Sequence, residues 1–228
     1  MRVDRRLSHI LKIGKRGAKE LIEAGRVRLD GSLVEDGAQR TDKFITLRVD
    51  EEMIYQKLAR YVMLHKPKGV VSANRDKEFT TVMDLLGEQS ADDLHISGRL
   101  DRNTTGLVIL SNDGRWSRSL FEPSRKVAKV YEVQLDGELE TSMIKDFERG
   151  FYFPTEAKTT RPAKLTILGP SRGRVVLEEG MYHQIKRMFS RVGRKVIALH
   201  RHSVGPYELG DLQEGQFRAI DPGLVNNF

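Results

Sequence analysis

The chain has 228 residues, enough for one large domain or two smaller ones, with 39% hydrophobic and 31% charged residues. It holds no cysteine, which excludes disulfides, thiol catalysis and cysteine-ligated metals, and no apolar run approaches the roughly 18 residues of a membrane span. A net charge of +7 and a pI near 9.6 point to an acidic partner such as nucleic acid.

Val3, Leu7, Ile10 and Leu11 fall at i, i+4, i+7 and i+8, one stripe of a short helix. Gly14 breaks the pattern, and a second helix follows with Ala18, Leu21 and Ile22 inward and Gly25 as its stop. Val27 and Leu29 then alternate with Arg26 and Arg28, and Asp30-Gly31 reads as a hairpin turn into Leu33-Val34. Residues 1–48 carry 12 Lys or Arg against 7 Asp or Glu, so most of the chain's excess charge sits here. Arg5, Arg6, Lys12, Lys15, Arg16, Arg26 and Arg28 crowd the two helices and the hairpin, where they could converge on phosphates. A solvated face is the plainer reading of any charge run. No apolar signal segment follows the first six residues, so the cytoplasm is the expected compartment.

Asp50-Glu51-Glu52 is acidic and precedes Tyr55-Gln56-Lys57, which reads as a hinge. The expected organisation is residues 1–50, a linker over 51–60, and a larger domain over 61–228. From Tyr61 the chain turns β-rich. Val62-Met63-Leu64 and Gly69-Val70-Val71-Ser72 flank His65-Lys66-Pro67-Lys68, predicting strand, turn, strand. Lys66 and Lys68 beside the proline could meet a phosphate or stand on a solvated turn.

Residues 97–110 pair one carboxylate, Asp101, with Arg99 and Arg102 and a polar turn. Gly106, Val108 and Ile109 predict that the turn feeds a buried strand. An aspartate beside cations at the mouth of a strand is a candidate nucleophile or base; it is equally a residue that hydrogen-bonds its own loop. Residues 129–135 alternate, placing Tyr131, Val133 and Leu135 on an inward face. Residues 163–168 and 173–178 read as a strand pair around Pro170-Ser171. Ile185, Met188, Phe189 and Val192 form a helical stripe. Lys186 and Arg187 sit near that helix's start, against the macrodipole, which favours a functional role over a merely solvated one. His200 and His202 share a strand face; a metal there is less favoured than a polar face, because no carboxylate is near in sequence.

The motif R-x-x-x-x-L-x-x-x-x-x-x-x-K-R-x-A-x-x-L-I-x-x-G-x-V-x-x-x-G, from Arg2 to Gly31, resembles the S4 RNA-binding domain. Lys66-Pro67-Lys68-Gly69, Gly98-Arg99-Leu100-Asp101 with Thr105-Gly106-Leu107, Lys129-Val130-Tyr131, and Glu179 through Met188 follow in order. Together with the S4 motif they resemble the ribosomal small-subunit pseudouridine synthase family. Residues 204–212 are similar to that family's closing strand and turn. The resemblance implies an α+β architecture: a small S4 (αL) domain, then a synthase domain on a long, mainly antiparallel mixed sheet. It implies that Asp101 is the catalytic aspartate, that Tyr131 packs on the target uracil and that Lys186 is the basic partner of Asp101. Arg99, Thr105, His183 and Gln184 are expected to support the site, and Lys66, Lys68 and Arg187 to join the N-terminal cations on RNA. Met181 departs from the Arg or Lys common at its place in the motif.

The implied substrate is 16S rRNA or a small-subunit assembly particle, and the implied actor a monomer without cofactor or metal. Large-subunit (23S) rRNA is the alternative substrate, and a non-catalytic S4-type assembly factor the alternative role. An aspartyl-phosphate phosphatase is disfavoured, since Asn103 stands where that chemistry wants a second carboxylate.

Overall fold

The computed structural model describes residues 1–87 and 93–225. The chain divides into two compact units, Met1–Ala59 and Arg60–Phe228.

In the first unit the two apolar stripes form α1 (Val3–Ile10) and α2 (Lys15–Glu23). They pack on a four-stranded sheet of order β2-β1-β3-β4, made by Val27–Leu29 (β1), Ser32–Leu33 (β2), Ile45–Val49 (β3) and Glu52–Lys57 (β4). Asp30 and Gly31 both have positive φ, 50° and 87°, as a tight type I′ hairpin turn requires. Val3, Leu7, Ala18, Ile22, Val27 and Leu47 fill the small core. Residues 52–57, within the expected linker over 51–60, are instead β4, because Tyr55 and Ile54 pack on this core.

The second unit is built on one nine-stranded mixed sheet of order β11-β12-β8-β13-β7-β5-β15, with β6 on β7 and β14 on β13. Its N-terminal half is Tyr61–Lys66 (β5), His95–Ser97 (β6) and Thr105–Ser111 (β7), closed by Phe217–Ala219 (β15). The C-terminal half is Lys129–Leu135 (β8), Lys164–Gly169 (β11), Arg172–Leu177 (β12), Val196–Val204 (β13) and Tyr207–Glu208 (β14). A separate small ribbon joins Tyr152–Phe153 (β9) to Lys158–Thr159 (β10). All ladders are antiparallel except β7–β13, where His200 pairs with Thr105 and Arg201 with Gly106. That parallel seam joins the two halves.

Strand alternation explains the burial. Val108 and Leu110 face the larger core with Val62 and Leu64, under α3 (Val82–Leu86). Leu107 and Ile109 face the other side, against Trp116 and Leu120 of α4 (Gly114–Phe121). Apolar contacts on both faces account for the unbroken apolar run in β7. On β8, Tyr131, Val133 and Leu135 point into the larger core, as the alternation predicts. There they meet α5 (Thr141–Arg149) and α6 (Gln184–Arg191), whose Phe147 and Phe189 rings lie 4.8 Å apart and are fully buried. Truncating such a ring costs about 3–5 kcal/mol, so α6 is firmly seated.

One expected strand is absent. Residues 69–72 form no ladder; a single bridge joins Val71 to Thr81. Their polar groups turn instead to the loop after β6. Gly69 N–H donates to Arg102 O at 2.9 Å, while Ser72 Oγ donates to Leu100 O at 2.8 Å and accepts from Leu100 N at 3.1 Å.

Gly106 sits at φ +110°, and a Cβ there would lie 2.2 Å from the Arg201 carbonyl oxygen and 2.5 Å from its nitrogen. Gly106→Ala is therefore expected to force the seam apart and to cost about 3 kcal/mol or more, read as a lowered urea midpoint.

Candidate active site

The loop between β6 and β7, residues 98–104, carries Asp101. Gly98 enters it at φ +75°, where a Cβ would meet the Phe121 ring at 1.9 Å. Thr104 N–H donates to Asp101 O at 3.0 Å, closing a turn. The Arg102 guanidinium stacks 3.7 Å from the Phe79 ring centroid. With the Gly69 and Ser72 contacts, nearly every residue of this loop is tied down.

Across the cleft, the segment before α6 is shaped from within. Glu179 Oε1 accepts from Arg161 N and from Gln184 Nε2, both at 2.8 Å, and Gln184 Oε1 accepts from Met181 N at 2.9 Å. His183 then caps the helix in the left-handed conformation, φ 49°. This turns its ring toward the loop: Nε2 lies 3.2 Å from Asp101 Oδ1. Lys186, one turn on, donates from Nζ to Asp101 Oδ2 at 2.6 Å. Each of the three side chains keeps about a third of its surface accessible, 31–35%, so the pair can be reached from solvent. Tyr131 is buried to 8% and, with Leu100, Thr104, Leu177 and Leu199, completes a cleft of about 80 Å³. The arrangement offers a carboxylate beside a fixed cation, one aromatic face and apolar walls. Such a site can bind a flat ring and apply a nucleophile or base to it.

Asp101, Tyr131, Lys186, His183, Gln184 and Arg99 all line this cleft. Gln184 acts through the loop it holds, being 4% exposed. Thr105 does not join them. Its hydroxyl meets His200 Nδ1 at 2.8 Å, in a separate depression shared with Lys68 and Asn103, because successive strand residues face opposite ways; Thr104 takes the place in the cleft.

Lys66 is also not a surface cation. It is fully buried, and its Nζ donates to Pro67 O at 2.8 Å and Arg102 O at 3.2 Å. Burial pushes its pKa down to about 8, partly offset by Asp101. Arg187 is engaged with Glu156 at 2.7 and 2.8 Å and stacks over Phe153. Lys68 is exposed.

The N-terminal cations divide. Arg5, Lys12 and Lys15 line one surface depression with Ser8 and His9. Arg16 pairs with Glu20, Arg26 with Asp50 and Arg28 with Glu51, while Arg6 packs over the Tyr55 ring.

His200 and His202 do share a face, their rings 4.5 Å apart, with His65 5.3 Å from His200. Burial and the two neighbouring imidazoles push His200 down to about 4. Among the described residues no group of three or more His, Asp or Glu could hold a metal.

Sequence reasoning missed Arg201, between those histidines. It is 2% exposed and reaches Gly98 O, Leu107 O and the Tyr131 hydroxyl. The signal was available: in the run 199–203 it occupies an inward position between Leu199 and Ser203. Lys129 is likewise buried, its pKa pushed down to about 8 by burial and by Arg201.

The RNA pseudouridylate synthase family matches residues 60–191. The ribosomal small subunit pseudouridine synthase A of Pseudomonas aeruginosa is 45% identical over 223 residues, covering 97% of each chain. Its counterpart in Escherichia coli (strain K12) is 35% identical and covers 96% of each. A crystal structure of a pseudouridylate synthase superposes with a TM-score of 0.71 at 31% identity, covering 99% of this chain and 98% of that one.

Because Lys66 has a lower pKa folded than unfolded, the unfolded chain binds more protons between about pH 8 and 10.5, and the cost of its buried charge is relieved across that window. The stability of Lys66→Met relative to wild type should therefore fall as pH rises through it, measured by urea unfolding. The salt dependence of its RNA affinity should not change.

Proposed function

The chain belongs to the RNA pseudouridylate synthase family, and we propose that it isomerises one uridine of small-subunit 16S rRNA, with Asp101 as the catalytic residue. The reaction breaks the N1–C1′ bond of uridine, turns the uracil, and joins C5 to C1′; the proton leaving C5 is matched by one gained at N1. It is atom-balanced and redox-neutral. The observation that carries the assignment is Lys186 Nζ at 2.6 Å from the Asp101 carboxylate, at a cleft walled by Tyr131.

Each residue has a defined task. A target uridine must leave its stack, at a cost of a few kcal/mol, and the Tyr131 ring offers a replacement surface worth roughly 1–3 kcal/mol. Asp101 then acts as nucleophile or base at the ribose–uracil linkage. Lys186 supplies the compensating charge, fixed by the firm seating of α6, and His183 holds the second carboxylate oxygen. Arg99, exposed at the cleft, meets the phosphate backbone.

Met1–Ala59 serves as an S4-type RNA-binding unit. Its motif residues supply the two helices, and Arg5, Lys12 and Lys15 share one depression free of acidic side chains. The 16S assignment is supported by the names of the relatives, which are small-subunit enzymes at up to 45% identity over nearly the whole chain. The compartment is the cytoplasm, where ribosomes are made; no helix among the described residues is long and apolar enough to cross a membrane.

Asp101→Asn should abolish pseudouridine formation while leaving RNA affinity nearly unchanged; measurable turnover by that variant would remove Asp101 from the chemistry. Pseudouridine mapping in rRNA from cells lacking the protein should show one missing small-subunit site, whereas a missing large-subunit site would move the substrate. Changing Arg5, Lys12 and Lys15 together to Gln should reduce the slope of log affinity against log salt by about 2–3, at about 0.7–0.9 per lost phosphate contact.

A further inference from the structure

Arg201 is a costly side chain to bury. A guanidinium does not deprotonate in proteins, so burial cannot neutralise it. It is 2% exposed, yet no ion pair joins it to a carboxylate among the described residues. Removing an uncompensated charge from water is costly, and replacing it by an apolar residue of similar volume is often neutral or stabilising. Stability alone therefore gives no account of an arginine here.

Its contacts do. Arg201 lies directly opposite Tyr131 in the antiparallel β8–β13 register and opposite Gly106 across the parallel seam. Nη2 donates to Gly98 O at 2.6 Å, at the entrance to the Asp101 loop, and Nε donates to Leu107 O at 2.8 Å, beyond its exit. Nη1 reaches the Tyr131 hydroxyl oxygen at 3.4 Å. Two carbonyls thus orient the fork, and the third direction is aimed at the phenol. Guanidinium nitrogens only donate, so the Tyr131 oxygen must accept from Arg201, and its own proton is turned away from that side. Arg201 is the phenol's one hydrogen-bond partner among the described residues, and Tyr131 lines the cleft.

We infer that Arg201 is a positioning residue for the isomerisation: from beneath the cleft it sets the orientation of the Tyr131 ring and the polarity of its hydroxyl, so that the O–H is presented to the bound uridine. The inference rests on the cleft being the active site. It adds a residue that does not touch substrate and that works through Tyr131. Lysine could reach the same region with a single charged centre, but without the planar fork that two carbonyls hold in register.

The test compares Arg201→Lys and Arg201→Met in the full-length protein, with tyrosines labelled with ¹³C at Cζ. Arg201→Met should lower kcat on rRNA by about 100-fold, the scale on which small misplacements of catalytic groups act, with KM changed no more than about threefold. Arg201→Lys should recover at least about tenfold of that loss. Of the six tyrosine resonances, that of Tyr131 should move in both variants while the others stay. An unmoved Tyr131 resonance overturns the inference, as does a loss confined to KM, or a lysine variant no better than methionine. If the methionine variant does not fold, the lysine variant and the wild type still decide: the guanidinium protons of Arg201 should exchange slowly with solvent and show a contact to the Tyr131 ring, and fast exchange without that contact refutes the role. Failure of the active-site reading is separable, since it would appear as turnover by Asp101→Asn with the Arg201–Tyr131 signature intact.

Discussion

The second unit depends on the close approach of Gly106 to Arg201 across the parallel seam. With 2.2 Å between a would-be Cβ and a backbone oxygen, only a residue without a side chain lets β7 lie against β13. That contact joins two half-sheets that are otherwise antiparallel throughout. It also determines where the proposed site lies. The loop entering β7 carries Asp101, β8 beyond β13 carries Tyr131, and the helix leading into β13 carries Lys186. Three residues separated by 30 and 55 positions meet because one glycine permits one strand pairing.

Around that seam the protein concentrates positive charge. Lys66 is buried against the Asp101 loop, Arg201 beneath Tyr131, and Lys129 over the Phe121 ring two residues before Tyr131 on β8, and burial holds both lysines near pKa 8. Each donates to backbone carbonyls rather than to acids. Lys66, Lys186 and Arg99 stand around Asp101, a field suited to a polyanionic substrate. The buried groups also act as struts: Lys66 ties Pro67 to Arg102, and Arg201 ties Gly98 to Leu107, so both ends of the Asp101 loop are fastened from below. Preorganisation of this kind spares the reaction the cost of ordering the loop at each turnover.

How much of this was legible beforehand differs by element. β8 and α6 could be read from periodicity because their apolar residues face one core, and the Asp30-Gly31 turn because its positive φ values demand such residues. Residues 69–72 looked like a strand for the same reason, being small and β-branched, yet their polar groups serve the Asp101 loop. Residues 55–57 looked like a hinge because they follow the acidic run Asp50-Glu51-Glu52, although a strand on a small sheet can be polar on its outer face. Lys66 looked like a phosphate contact because lysine is rarely buried.

The sequence by itself determined the local periodicities, the basic first unit, the absence of thiols and the ordered motifs that identify the family. Those depend on residue type and spacing, which are local quantities. Only the tertiary structure decided that Asp101 faces Lys186 and His183 at once, that Thr104 rather than Thr105 belongs to the cleft, and that Arg201 lies beneath Tyr131. These depend on strand register on both sides of β13 and on the helix leading into it, which link residues far apart in the chain; a shift of one residue would turn each strand's side chains to the other face. The carboxylate of Asp101 could be named from sequence; its environment had to be assembled by the pairing of Gly106 with Arg201.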